Sequence, residues 1–180
     1  MNNWSKNQYF DFELMKINKV NEEVFVDGGC YNGDTSKAFI EWCENEYKHI
    51  YAYEPDIQNF QNCKKLLNKI AKEKVTLFNK GLWEKNDNLK FTIGEDASGR
   101  IDDNANEIVE VISIDESIDD KVTFIKLDVE GAEYSTVLGC KKTIQKYRPK
   151  LAISVYHKLE DIYEIPKLIL EMNPYYKLFF

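Results

Sequence analysis

Apolar positions along the chain recur at two alternating spacings, and the alternation predicts the elements. Residues 23–27, Glu-Val-Phe-Val-Asp, form a short apolar run closed by glycines, a buried strand followed by a turn. Asp34-Thr-Ser opens a helix with Ala38, Phe39, Trp42 and Cys43 on one face. His49–Tyr53 predicts a second strand. Asp56 then stands where it can cap a helix carrying Ile57, Phe60, Cys63, Leu67 and Ile70 at helical spacing. Val75–Phe78 predicts a third strand. From about residue 80 to 118 the pattern changes: Leu89–Ile93 and Ile108–Ser113 are strand-like, separated by Gly94–Arg100, with no long amphipathic helix between them. This predicts a β-rich excursion that partly covers a ligand. A near-continuously apolar strand follows at Val122–Asp128, then a helix over roughly 132–147, a strand at Leu151–Tyr156 and a last helix whose Pro166 lies in its first turn or marks a break.

Strands alternating with helices over short connections predict an α/β fold: a mostly parallel sheet with helices on both faces and ligands at the carboxyl ends of the strands. At 180 residues, with no repeat or linker, the chain reads as a single domain with residues 1–20 as an N-terminal helical cap segment.

Composition narrows the partners. The 31 Asp+Glu against 24 Lys+Arg leave a net charge of −7, which argues against nucleic acid as a partner. The apolar runs are strand-length, so no membrane span is expected, and Met1–Gln8 lacks a secretory pattern, which makes the cytoplasm the expected compartment. Four scattered cysteines without C-x-x-C spacing, and only His49 and His157, predict no zinc site; Cys43 and Cys63 read as buried thiols on helix faces.

The informative stretch is Val26-Asp27-Gly28-Gly29-Cys30-Tyr31-Asn32-Gly33-Asp34-Thr35, with Glu54 at the tip of the second strand. A dinucleotide fold requires G-x-G-x-x-G, so that the second glycine lets a pyrophosphate approach the backbone. In that register Cys30 occupies the close-approach position and Asp27 repels the phosphates, which disfavours NAD. S-adenosylmethionine carries an ammonium and no phosphate. Asp27 can then orient the ammonium, directly or through water, while Gly28, Gly29, Cys30, Gly33, Asp34 and Thr35 form the turn and helix start beneath the ligand. Glu54 accepts ribose hydroxyls, and Asn79 and Lys80 after the third strand lie near the adenine. The plainer alternative is a tight turn beside an exposed strand-end acid.

At the fourth strand, Lys126, Asp128 and Glu130 share one side if strand alternation continues, and Glu133 enters the next helix. His157 follows the fifth strand at the same sheet edge. Asp128, Glu130 and His157 are therefore the candidate catalytic bases, against the plainer reading of Glu130 and Glu133 as solvated helix-start acids and of His157 as a structural histidine. Tyr31, Trp83 and Tyr156 are candidates to wall the site. The acids have the chemistry to hold a hard cation such as Mg²⁺, but their spacing requires none, and no metal ligand is assigned.

These phrases, with Ile125-Lys126-Leu127-Asp128-Val129-Glu130-Gly131-Ala132-Glu133, Pro149–His157 and Ile165-Pro166, resemble the FkbM family of S-adenosylmethionine-dependent methyltransferases. The resemblance runs from about residue 20 to the C-terminus. It implies a Rossmann-like class I methyltransferase sheet, S-adenosylmethionine as donor, and O-methylation of a hydroxyl on a small-molecule, sugar, polyketide or other glycan-like acceptor. Similar proteins continue beyond a strand like Tyr175–Phe180 into a further antiparallel strand, so a sheet shortened at its C-terminal strand is expected here. An unpaired edge of that kind invites pairing with a second copy of the chain. The alternatives to an enzyme of this class are a non-catalytic S-adenosylmethionine-binding or partner-binding module and, third, an NAD-dependent oxidoreductase.

Overall fold

The computed structural model describes residues 9–10, 22–93, 99–101, 105 and 107–180. The N-terminal cap segment, apart from Tyr9 and Phe10, and most of the Gly94–Arg100 connection lie outside the described residues.

The main sheet contains β1 (Val24–Gly28), β2 (His49–Tyr53), β3 (Val75–Phe78), β8 (Phe124–Leu127) and β9 (Lys150–Ile153), in the order β3-β2-β1-β8-β9 with every pair parallel. Strand alternation splits its side chains between two cores. Phe25, Ile50, Ala52 and Phe124 face α1 (Asp34–Trp42) and α2 (Ile57–Ile70), packing with Phe39, Trp42, Cys63 and Leu67. Val24, Val26, Tyr53, Ile125 and Leu127 face the other way, against α4 (Glu133–Leu138), α5 (Lys141–Tyr147) and α6 (Asp161–Met172) through Val137, Ile144, Ile165 and Ile169. Apolar cover on both faces is what a parallel sheet requires, and the fold is the Rossmann-like class I methyltransferase type.

The middle of the chain forms a second sheet of four short strands, β4 (Gly81–Leu82), β5 (Asp87–Ile93), β6 (Gly99–Ile101) and β7 (Glu107–Ile112), ordered β4-β7-β5-β6. A one-turn helix α3 (Ile114–Ser117) leads back to the main sheet.

Several elements differ from the sequence reading. On α2, Ile57 is 58% exposed and Ile70 38% exposed, while Asn59 is buried with Cys63 and Leu67. The helix expected over 132–147 is two helices broken at Gly139-Cys140. A Cβ on Gly139 would lie 2.1 Å from the Trp83 carbonyl oxygen, and Asp115 caps the second helix by accepting from the Lys142 and Thr143 amides at 2.7 and 2.9 Å. Pro166 sits well inside α6, neither in its first turn nor at a break. Tyr175–Phe180 forms no strand. An extended backbone becomes a strand only by pairing, and this segment instead lies along the groove beside β9, with the Tyr176 hydroxyl donating to the Pro149 carbonyl at 2.8 Å.

Candidate active site

Two clusters meet at the carboxyl ends of β1, β2, β8 and β9. The first is built on the glycine turn after β1. Gly29 has φ +71°, and a Cβ there would stand 1.9 Å from the Asp128 carbonyl oxygen, so only glycine lets the β1 loop lie against the end of β8. The Gly29 and Cys30 amides donate to the Tyr53 carbonyl, and the Asp128 amide donates to the Gly28 carbonyl. Glu54, at the tip of β2, accepts from the Tyr31 amide through Oε2 and from the Asp56 amide through Oε1, both at 2.9 Å. Burial pushes its carboxyl up to about 7 against those two lowering bonds. Asn79 donates to the Glu54 and Pro55 carbonyls and so ties the β3 loop to the same tip. Lys80 turns away and pairs with Glu110 of the second sheet.

Asp27 is completely buried. Its Oδ2 accepts from Ser36 at 2.7 Å, and its Oδ1 lies 3.2 Å from the Lys126 ammonium without a hydrogen-bonding partner. Lys126 also donates to the Gly28 and Gly29 carbonyls at 3.0 and 2.7 Å. The structure thus gives Asp27 an internal counter-ion and no open face. Cys30 is buried with its Sγ 3.3 Å from Cys63 Sγ, and burial holds its thiol well above the usual range. Asp34 and Thr35 begin α1, where Asn32 Oδ1 accepts from the Asp34 amide. The donors and acceptors here fit S-adenosylmethionine: each Glu54 oxygen accepts one amide bond and retains capacity for a hydroxyl, and the buried Cys30 stands where a phosphate-binding loop requires glycine.

The second cluster lies beside it. β8 ends at Leu127, and Lys126 forms its ion pair with Asp27 rather than with Asp128 or Glu130, although the Tyr9 side chain touches both Lys126 and Asp128. Glu130 has a left-handed backbone, φ 53°, in the turn that follows. β9 likewise ends at Ile153, and residues 154–157 leave the sheet to carry Tyr156 and His157 over that turn. His157 Nε2 lies 3.2 Å from Glu130 Oε2 and 3.8 Å from Asp128 Oδ1, and its Nδ1 lies 3.1 Å from Glu133 Oε1. The three candidate bases named from sequence are therefore one cluster. Glu133 is fully buried and accepts from the Val129 and Gly131 amides at 2.8 and 2.9 Å, while burial raises its carboxyl pKa. Asp128 accepts a phenol on each oxygen, from Tyr9 and Tyr156, both at 2.8 Å.

Tyr9 is the residue sequence reasoning missed; 119 positions separate it from Asp128, and no local pattern marks it. Its ring also covers the Lys126 ammonium at 5.4 Å. Tyr31 is half-exposed beside Glu54 and Tyr156 reaches Asp128, but the Trp83 backbone packs on Gly139 at the α4–α5 junction. A groove of about 720 Å³ runs from Tyr9 and Tyr156 along the outer edge of β9 to Pro166 and the C-terminal residues. Among the described residues, no helix is long and apolar enough to cross a membrane.

The sequence matches the model of the methyltransferase FkbM domain over residues 27–176. The crystal structure of methyltransferase FkbM from Methylobacillus flagellatus KT is similar, with a TM-score of 0.80 and 28% identity over 96% of this chain and 42% of that one. This chain thus spans less than half the length of that relative. More distant likenesses show the fold alone: an rRNA methylase from Streptococcus thermophilus (TM-score 0.51, 16% identity, 83% of this chain and 70% of that one) and SMU.1697c from Streptococcus mutans, solved with SAH (TM-score 0.51, 14% identity, 82% and 73%). No curated protein matches the sequence.

Proposed function

Because this chain belongs to the FkbM methyltransferase family, we propose that it methylates a hydroxyl oxygen of a small-molecule, sugar or polyketide-like acceptor with S-adenosylmethionine as donor. The observation that carries the reading is the contact between the two clusters: the Gly29 turn packs on the Asp128 backbone, so a ligand held at Glu54 lies next to the Asp128–His157 group. S-adenosylmethionine supplies a methyl group already activated on a sulfonium. The protein then has two tasks: positioning, worth about 7–11 kcal/mol, and removal of the acceptor proton, worth roughly 10²- to 10⁴-fold.

Glu54 takes the ribose hydroxyls on the acceptor capacity that its amide bonds leave, and Asn79 holds the adjoining loop in place. The buried Lys126–Asp27 pair braces the turn from beneath through the Gly28 and Gly29 carbonyls. As the acceptor oxygen takes the methyl carbon, the carbon–sulfur bond breaks to leave neutral S-adenosylhomocysteine, and the hydroxyl proton passes to the Asp128–Glu130–His157 cluster. The phenols of Tyr9 and Tyr156 fix the plane of the Asp128 carboxylate for that role. The groove beside β9 opens at the same two tyrosines and is lined largely by apolar side chains such as Leu151, Ile153 and Pro166, which supports an acceptor with an apolar body.

Isothermal titration with S-adenosylmethionine and with S-adenosylhomocysteine, on the wild type and on Glu54→Ala, tests the reading. Binding to the wild type with at least a tenfold loss in the variant is expected. A folded wild-type chain that binds neither compound overturns it.

A further inference from the structure

We infer that Asp128, Glu133 and His157 form a binding site for one divalent metal ion, in the turn layer where β8 and β9 end. One ligand atom from each of these residues lies within 4.8 Å of the other two. Bonds of roughly 2.0–2.6 Å from a central ion place cis ligands about 3–4 Å apart, so closure around an ion requires only small side-chain movement.

The charge balance supplies the reason for an ion. Asp128, Glu130 and Glu133 surround a single imidazole, and Glu133 has no solvent exposure. A fourth carboxylate, Asp161 at the start of α6, is 2% exposed; its Oδ2 is buried with no hydrogen-bonding partner, and it interacts electrostatically with both Glu133 and His157. Among the described residues no lysine or arginine forms an ion pair with any of the four. Lys126 is committed to Asp27 and two carbonyls, and Lys158 donates to the Gly131 carbonyl and acts electrostatically on Asp161 without an ion pair to it. Even with Lys158 near Asp161 and His157 protonated, the four carboxylates exceed the positive charge beside them. Burying the remainder is costly, a cost that a bound dication removes. His157 Nδ1 is likewise buried without a hydrogen-bonding partner.

The mixed set of one imidazole and hard carboxylate oxygens suits a first-row dication of the Mn²⁺ or Fe²⁺ type better than a thiolate-seeking ion. Three protein ligands leave other coordination positions open. If the methyl-transfer reading above holds, on which this consequence rests, those positions take an acceptor that presents neighbouring oxygen atoms, and the ion lowers the pKa of the hydroxyl to be methylated.

The test uses chelator-treated full chain titrated with Mn²⁺, followed by calorimetry, thermal unfolding and electron spin-echo spectroscopy. One Mn²⁺ per chain, a raised Tm and a ¹⁴N coupling from one imidazole are expected. Asp128→Asn and His157→Gln each weaken binding at least tenfold, and His157→Gln abolishes the ¹⁴N coupling. His49, the only other histidine, is hydrogen-bonded to Thr76 on the far strands, and His49→Gln leaves the coupling intact. Both site positions are partly solvent-exposed, and circular dichroism verifies that each variant is folded. No stoichiometric Mn²⁺ binding, or binding and coupling unchanged in His157→Gln, overturns the site and leaves the imidazolium as the cluster's counter-charge. Titration of the metal-free protein with S-adenosylhomocysteine keeps the two proposals apart: binding there without Mn²⁺ binding removes only the metal site, whereas loss of both removes the methyl-transfer reading as well.

Discussion

Asp27 and Lys126 stand opposite each other on the adjacent parallel strands β1 and β8, with the ammonium 3.2 Å from the carboxylate and exposures of 0% and 2%. The cost of withdrawing both groups from water is offset because each has the other and further polar partners: Ser36 for the acid and two loop carbonyls for the lysine. The pair therefore couples the middle of the sheet to the turn that carries Gly29.

Removing one partner tests this. Lys126→Met strands a buried carboxylate and is expected to cost about 3–5 kcal/mol. Adding Asp27→Leu should recover part of the loss, and urea denaturation of the single and double variants measures both.

Glu54 makes stability pH-dependent. Its carboxyl rises from 4.5 to about 7 on folding, chiefly through burial, so the folded state binds the proton more tightly. Stability from this group is greatest below the lower value and falls as pH rises through the window to about 7, by an amount on the order of 3 kcal/mol. Glu54→Gln should show no such decline when unfolding is followed in urea at pH 5, 6, 7 and 8.

The same ionisation controls the cofactor. Hydroxyl donors favour the carboxylate, so S-adenosylhomocysteine affinity should rise about tenfold between pH 6 and pH 8 as Glu54 ionises. A flat affinity profile by calorimetry over that range would remove Glu54 from the ligand contacts.

Gly29→Ala forces a methyl group to 1.9 Å from the Asp128 carbonyl oxygen at a backbone angle L-residues avoid. The β1 turn must then lift from the end of β8, at a cost of about 3 kcal/mol or more. S-adenosylhomocysteine binding, measured on whatever folded fraction remains, should weaken with it.

Phe39 stacks on Phe25 with ring centroids 4.3 Å apart and touches Phe10, Trp42, Tyr47 and Phe124. Phe39→Ala empties the centre of the core beneath α1 and is expected to cost about 3–5 kcal/mol, read from the shift in the urea midpoint at constant slope.

How much of this was legible depended on the distance over which each feature is decided. Phe25 lying between Val24 and Val26 announces a strand buried on both sides, and the Asp27–Gly33 turn is written in consecutive residues. Asp56 as the cap of α2 was legible for the same reason, and its carboxylate accepts from the Asn59 amide at 2.7 Å. The α2 face was misread at Ile57 and Ile70 because helical spacing says which residues align and not which of them the rest of the fold covers. The break at Gly139 was hidden because it depends on the Trp83 carbonyl, 56 residues away in the chain.

Asp128, Glu130 and His157 could be nominated singly, as polar residues just past apolar strands, but the ion pair of Lys126 with Asp27 across β1 and β8 could not be read from either strand alone. Asp161 and Tyr9 carry no sequence signal of a role in the site. Local chemistry, read one element at a time, determined the α/β class, the glycine turn and the family. Tertiary structure alone decided that Lys126 neutralises Asp27, that Tyr9 reaches Asp128, and that four carboxylates gather around His157. Those relations join residues brought together by strand order and crossover, and their energies depend on burial, which no single stretch of sequence specifies.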